Sequence, residues 1–154
     1  MDIISNRTKD IAHLALDGLY ARQKAIGSNT ANVLTPNYQR KEVSFESNLR
    51  NVIERENEKE NIKIENSNLY KQNPTQLLKS QDPARLAFLN SNTKDGFSVD
   101  IEVDTSDPLG LDNNNVNIEE EMMGEAKTAM QYQTVASLLS KSYTQLEQVI
   151  KGQN

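Results

Sequence analysis

Few side chains in this 154-residue chain are of types that do chemistry. The single histidine, His13, falls near the polar border of a helical pattern. With no cysteine and no second histidine, it has no partner for a nucleophilic dyad or a zinc set. A surface or interface role fits it better. Glu119, Glu120 and Glu121 form an acidic run, yet three adjacent residues point in different directions around a helix. At a helix N-terminus they complement the positive end of its dipole. Asp107-Pro108-Leu109-Gly110 has only the outline of a calcium loop. With Gly110 at position six, Leu109 and Val116 occupy positions five and twelve, where oxygen ligands are required. No nucleophile, base and acid can be assembled into a set. The reading is of a chain that is not an enzyme, with no catalytic residue, metal or cofactor, so its function must lie in the shape of its elements.

The bulk numbers agree. Hydrophobic residues make up 36% of the chain, below the roughly 45–50% of compact globular domains, a range that also counts glycine. That favours an elongated molecule with little private core. The net charge of −5 and the lack of a basic stripe argue against nucleic acid, whose phosphates supply most of such affinity. No apolar run approaches the ~20 residues of a membrane span. The start, MDIISNRTKDIAHLALDG, lacks the basic and apolar regions of a cleavable secretory signal.

The elements divide the chain into residues 1–34, 35–116 and 117–154. In the first, Ala12, Leu19, Ile26 and Val33 recur every seven residues beside Ile4, Ile11, Ala15 and Leu16, the spacing of an amphipathic helix. Gly18 and Gly27 each weaken it by about 1 kcal/mol relative to alanine. In the last, Asn117 precedes Ile118-Glu119-Glu120 in a capping-box arrangement. Ala129, Tyr132, Ala136, Leu139, Tyr143, Leu146 and Ile150 then step by three and four as a coiled-coil seam. Met122, Met123 and Ala126 extend the seam upstream, Glu125 interrupts it, and Lys151-Gly152 closes the helix. A helix over 118–150 is about 50 Å long. Its stripe is either intramolecular core or an interface completed by other subunits, and the low hydrophobicity favours the second.

Between the helices, residues 54–73 are dominated by Glu, Asn and Lys and read as solvated or disordered, with Ile62 and Ile64 hinting at a short strand. Residues 73–89 suggest a loop with one helical turn. Phe97, Val99, Ile101 and Val103 alternate as a strand, and residues 104–115 form a turn-rich connector. The expected fold is mainly α: long N- and C-terminal helices packing as a coiled-coil-like pair, with a small irregular or β insertion between them.

Thr35-Pro36-Asn37-Tyr38 joins the first helix to an extended arm. Proline presets position i+1 of a β-turn, and asparagine tolerates the positive φ of a type II turn at i+2. Proline also ends the helix by about Leu34. Beyond the turn Val43 and Phe45 face one side, while Glu42, Ser44 and Glu46 face the other. At these residues the sequence resembles a known family. The run from Ser28 to Tyr38 (SNTANVLTPNY), followed by EVSFE, resembles the N-terminal signature N-x-A-N-x-x-T-P-G-Y of bacterial flagellar rod and hook proteins. Leu111–Met122 (LDNNNVNIEEEM), with Tyr132 downstream, resembles their C-terminal D-x-N-x-V-x-x-x-x-E-M block. The short length and the Phe45-to-Leu49 continuation resemble the proximal rod subunit within the flagellar basal-body rod family. Asn37 stands where that family mostly has glycine.

The resemblance implies a structural subunit that assembles through both terminal helices into the inner layer of a helical drive-shaft tube, its middle facing outward. It implies contacts with other copies of itself and with other rod and basal-body subunits. It also implies passage through the flagellar type III export apparatus without signal cleavage, and residence in the periplasmic rod. No small-molecule substrate is expected. The residues expected at subunit interfaces are Leu19, Ile26, Asn29, Asn32, Val33, Met122, Ala129, Tyr132, Ala136, Leu139, Tyr143, Leu146 and Ile150, with Asn29 and Asn32 fixing register through buried hydrogen bonds. Thr35, Pro36, Asn37, Tyr38 and Phe45 form the family turn motif. The alternative is a helical adaptor or chaperone linked to type III secretion, which has no need of paired terminal signatures.

Overall fold

The computed structural model describes residues 6–72, 83–106, 108 and 112–152. The elements are α1 (Asn6–Ala31), β1 (Lys41–Ser44), α2 (Glu46–Gln72), α3 (Pro83–Asn90), β2 (Asp100–Val103) and α4 (Ile118–Ile150). Ile4, residues 73–82, Asp107 and Leu109–Leu111 lie outside the described residues, and with them part of the expected first helix, the proline-bearing stretch and the calcium-loop outline. No helix among the described residues is long and apolar enough to cross a membrane.

The two long terminal helices form the expected pair, running antiparallel. Gly124 near the start of α4 faces Ile26 near the end of α1, and Tyr143 near the end of α4 reaches His13 near the start of α1. Asn117 caps α4: its side chain accepts from the Glu119 amide at 3.0 Å and donates to Glu120 Oε1 at 3.3 Å. At the far end Lys151 is the cap residue and Gly152 takes a φ of +67°, the left-handed conformation that stops a helix.

α1 ends at Ala31, three residues before Leu34, and the chain tightens through Asn32 N–H to Asn29 O (3.0 Å) and Val33 N–H to Thr30 O (3.4 Å). The turn follows as expected. Tyr38 N–H donates to Thr35 O at 3.3 Å and Asn37 has a φ of +59°, the sign that a type II turn requires at i+2. The arm then lays Val43 and Phe45 (4% and 3% exposed) against α1, with Leu19, Ala25, Leu49, Phe97, Val99 and Val135 around them. Glu42, Ser44 and Glu46 face outward. Gly18 now has a reason to be glycine: a Cβ there would lie 2.4–2.7 Å from the Phe45 ring.

β1 pairs antiparallel with β2, with Val43 opposite Ile101 and Lys41 opposite Val103. The alternation over residues 97–103 is only half used for burial. Phe97 and Val99 pack on the core before the strand begins, whereas Ile101 and Val103 are 62% and 56% exposed.

Residues 54–72 are largely solvated as expected, but the expectation of disorder with a short strand near Ile62 and Ile64 is overturned. α2 runs unbroken from Glu46 to Gln72. Glutamate and lysine are good helix formers whatever their hydropathy, and Glu56 with Lys59 supplies a buried pair of opposite charges one turn apart at 2.8 Å. Polar tethers hold the helix. Lys59 Nζ donates to Ser91 O at 2.7 Å, Arg55 donates to the carbonyls of Asn92 and Thr93, and Arg7 of α1 bonds Asn57 and Glu60. Val52, 1% exposed, is its one fully buried apolar side chain among the described residues.

Two substitutions check this packing. Gly18→Ala should lower stability by roughly 1–2 kcal/mol, because overpacking against Phe45 outweighs the helix propensity that alanine adds. A melting curve that rises would contradict it. Asn37→Gly should be neutral or stabilising and Asn37→Val should cost at least about 1–2 kcal/mol, since a β-branched residue resists positive φ. Denaturant titration of both variants measures the difference.

Candidate assembly surface

The two sequence signatures meet at one junction, where the end of α1, the turn, β1 and the start of α4 converge. Asparagine amides do most of the joining, because one such side chain offers two donors and two lone pairs to backbone groups that a helix end leaves unpaired. Asn29, fully buried, acts as a backbone surrogate. Its Nδ2 donates to Lys41 O at 2.8 Å, and its Oδ1 accepts from Lys41 N–H at 2.9 Å and from the Tyr38 hydroxyl at 3.2 Å. Asn32 Nδ2 donates to Ser28 O at 2.8 Å. From across the junction, Asn114 Nδ2 reaches the carbonyls of Asn32, Val33 and Thr35 at 2.9, 3.0 and 2.9 Å, while its Oδ1 accepts from Val116 N–H at 2.8 Å. Asn115 Oδ1 accepts from Arg40 N–H at 2.6 Å and its Nδ2 donates to Asp104 O at 2.8 Å. Asn37 N–H donates to Asp112 O at 2.7 Å.

A charged centre sits beside these amides. Arg40 Nε donates to Glu121 Oε1 at 2.5 Å, and its Nη1 lies 3.3 Å from Asp104 Oδ2 and 3.9 Å from Glu42 Oε2. The hydrogen bond to Glu121 raises the Arg40 pKa against the opposing effect of burial. The Ser106 amide, bonded at 2.9 Å, holds the Asp104 carboxyl below its ordinary range, helped by Arg40. Arg22 clamps the arm in the same manner, donating to Val43 O at 2.9 Å and Glu46 Oε2 at 2.8 Å, with its guanidinium 4.8 Å from the Phe45 ring centre. Burial pushes the Glu46 carboxyl up, but the bonds from Arg22 and from backbone amides outweigh it, so Glu46 also titrates low. The Arg40 guanidinium gathers the carboxylates of Glu42, Asp104 and Glu121. Of the acidic run, only Glu121 turns inward.

Both signatures are thus spent on joining the end of α1 to the start of α4, and the chain has relatives that match it over nearly their full length. It is 28% identical over 145 residues to the flagellar basal body rod protein FlgB of Borreliella burgdorferi, covering 94% of this chain and 96% of the relative. With FlgB of Borrelia hermsii it shares 31% over 142 residues, 92% of this chain and 94% of that one. The chain belongs to the FlgB family of flagellar basal-body rod proteins. FlgB of Bacillus subtilis is 28% identical over 153 residues, 99% and 98% of the two chains. No protein-family model matches the chain.

Within this FlgB-type fold the expected interface residues separate into two sets. Leu19, Ile26 and Asn29 lie inside the subunit's own packing, at 4%, 8% and 0% exposed. Asn32 and Val33 are half-buried at the junction. On α4, Met122, Ala129, Tyr132, Tyr143 and Ile150 are exposed, while Ala136, Leu139 and Leu146 are half-buried. The stripe that α4 turns inward is Glu121, Gly124, Thr128, Val135, Leu139, Ser142 and Leu146. With half-buried Ala136 at its edge, it is rotated by about 45° from the expected seam, at 100° per residue, and shares Ala136, Leu139 and Leu146 with it. The Arg40–Glu121 pair fixes the rotation at one end, and small residues let α1 approach closely along the rest. A reading that picks the largest apolar side chains misses such a stripe. The tyrosine and methionine flanks stay outside. His13 is exposed, its Nε2 3.4 Å from the Tyr143 hydroxyl.

Sequence reasoning quoted Asn114, Asn115 and Glu121 without assigning them these partners, and passed over Arg40. Their signal was the density of asparagine in Asn113–Asn117 opposite a second asparagine pair, Asn29 and Asn32.

Asn114→Ala should cost roughly 1–3 kcal/mol, the effect of leaving the half-buried Val33 carbonyl unpaired and removing a second donor from Asn32 O and Thr35 O, and chemical denaturation reads it directly. Asp104 and Glu46 both have depressed folded pKa values. Their stabilisation is therefore present above the unfolded value near pH 4 and is lost as pH falls through the folded values. Acid unfolding of Asp104→Asn and Glu46→Gln should show a flatter limb below about pH 4 than the parent chain.

Proposed function

We propose that α1 and α4 together form one assembly domain, and that this structural rod subunit joins the flagellar basal-body rod through the exposed flanks of α4. The observation that carries this is the apolar surface left on one helix. Ile118, Met122, Met123, Met130, Tyr132, Leu138, Tyr143, Val149 and Ile150 are all at least 37% exposed. Large apolar surfaces of this kind mark interaction sites. Along the seam with α1 the surface sinks into an open apolar trough of about 410 Å³ by Leu19, Phe45, Met130 and Val135. The partners in this reading are other copies of the chain and other rod subunits, and residues 35–116 face away from the tube axis.

The same reading places the subunit in the periplasmic rod, delivered by the flagellar export apparatus without signal cleavage, with no catalytic role. Its chemistry supports this: the polar groups at the junction are engaged with one another, and Arg40 occupies the centre of the acidic cluster. No observation favours the adaptor or chaperone alternative.

Leu138 and Met130 are 61% and 64% exposed, so Leu138→Asp and Met130→Asp should change the stability of the isolated chain by no more than about 0.5 kcal/mol. In the rod the buried charge costs several kcal/mol. Cells carrying either variant should export the subunit yet build no rod and not swim. Normal motility of both would remove α4 from the interface.

A further inference from the structure

A second cleft, of about 360 Å³, opens between the last turns of α1, β1 and the first turns of α4. Glu121 lines it. This carboxylate is 1% exposed; its Oε1 takes the bond from Arg40, and its Oε2 has no hydrogen-bond partner among the described residues. A buried carboxylate oxygen without a donor is costly. Arg40 cannot make up the deficit, because its single charge is already shared with Asp104 and Glu42. Of the other cations on the cleft, Arg22 is engaged with Val43 O and Glu46. Lys41 and Lys127 are exposed and make no ion pair among the described residues.

The walls narrow the choice of ligand. Ala25, Ile26 and Gly124 form an apolar side to the cleft, and a side chain at Gly124 would project toward Ile26. No group of three or more His, Asp or Glu side chains among the described residues is arranged to hold a metal ion. An apolar wall beside an unpaired carboxylate oxygen, in a cleft whose other residues are mostly charged, suits a long aliphatic stem with a cation at its tip. We propose that the cleft receives a lysine or arginine side chain of a neighbouring rod subunit, whose N–H donates to Glu121 Oε2. This rests on the assembly reading above and adds a second, polar contact at the opposite end of α4 from Tyr143 and Ile150. A charge-assisted bond of this kind fixes register where an apolar flank tolerates sliding.

Glu121→Gln tests it with little change of shape. The amide keeps an oxygen for Arg40 and turns an N–H toward the incoming donor. Incorporation into rods should fall about ten- to a hundredfold, the effect of one hydrogen bond to a charged group, while the isolated variant keeps its fold by circular dichroism. Incorporation at the parental level overturns the proposal. Should the variant fail to fold, a density map of intact basal bodies built from the parent chain decides. A neighbour's Nζ or guanidinium nitrogen within about 3.2 Å of Glu121 Oε2 supports the proposal. Lys41 or Lys127 of the same subunit on that oxygen, or solvent alone in the cleft, overturns it. Such a map separates the two readings: a covered α4 flank beside an unvisited cleft rejects only this contact, and an uncovered flank rejects the assembly reading itself.

Discussion

Backbone groups at the end of a helix have no partners of their own, and in this chain asparagine side chains supply them from a distance. Asn114 reaches three carbonyls just past α1 from 79 to 82 residues away, and Asn29 pairs with Lys41 as a strand neighbour would. Without these bonds the half-buried Val33 carbonyl would have no partner among the described residues, a condition that folded proteins avoid. The arm carrying Val43 and Phe45 would then have no fixed departure from α1, and the small apolar core beneath it would lose its lid. The start of α4 depends on the same bonds, since Asn115 holds Arg40 and Arg40 holds Glu121.

That constraint explains why so little hydrophobic residue is needed inside the subunit. Among the described residues the buried apolar set is short: Leu14, Leu19, Ala25, Ile26, Val43, Phe45, Val52 and Val116. Polar bonding at the junction fixes the relative rotation of α1 and α4, and the inward stripe of α4 can then be small and partly polar. The larger apolar side chains are left for the outside. Under the proposed assembly a rod subunit would benefit from that division, because its own fold would not compete for the apolar side chains it offers to neighbours.

What the sequence made legible was local. The helix cap at Asn117, the positive φ of Asn37, the two faces of the arm and the long terminal helices all follow from spacing and residue type within one or two turns. Two things were not local. The rotation of α4 is set by Arg40, 81 residues before Glu121, and no periodicity in α4 contains that information; the heptad of Ala129 to Ile150 was real but marks an outer flank. α2 was missed for a different reason. Its Glu, Lys and Asn content lowers hydropathy without lowering helix propensity, and its tethers are side chains of Arg7, Arg55 and Lys59 bonded to partners 32 to 53 residues away. The family signatures were visible, but their role was not: most of their polar residues serve the subunit's interior.

Residue-resolved hydrogen exchange of the isolated chain measures the junction most directly. The amides of Asn37, Arg40, Lys41 and Val116 donate to Asp112, Asn115, Asn29 and Asn114, and three of these four bonds end on an asparagine side chain. If the junction organises the fold, these four amides exchange only on global unfolding and are protected as strongly as the middle of α1. Were they to exchange at the rate of an unstructured peptide while the α1–α4 seam stayed protected, the helix pair would stand without the junction, and this account of the fold would be wrong.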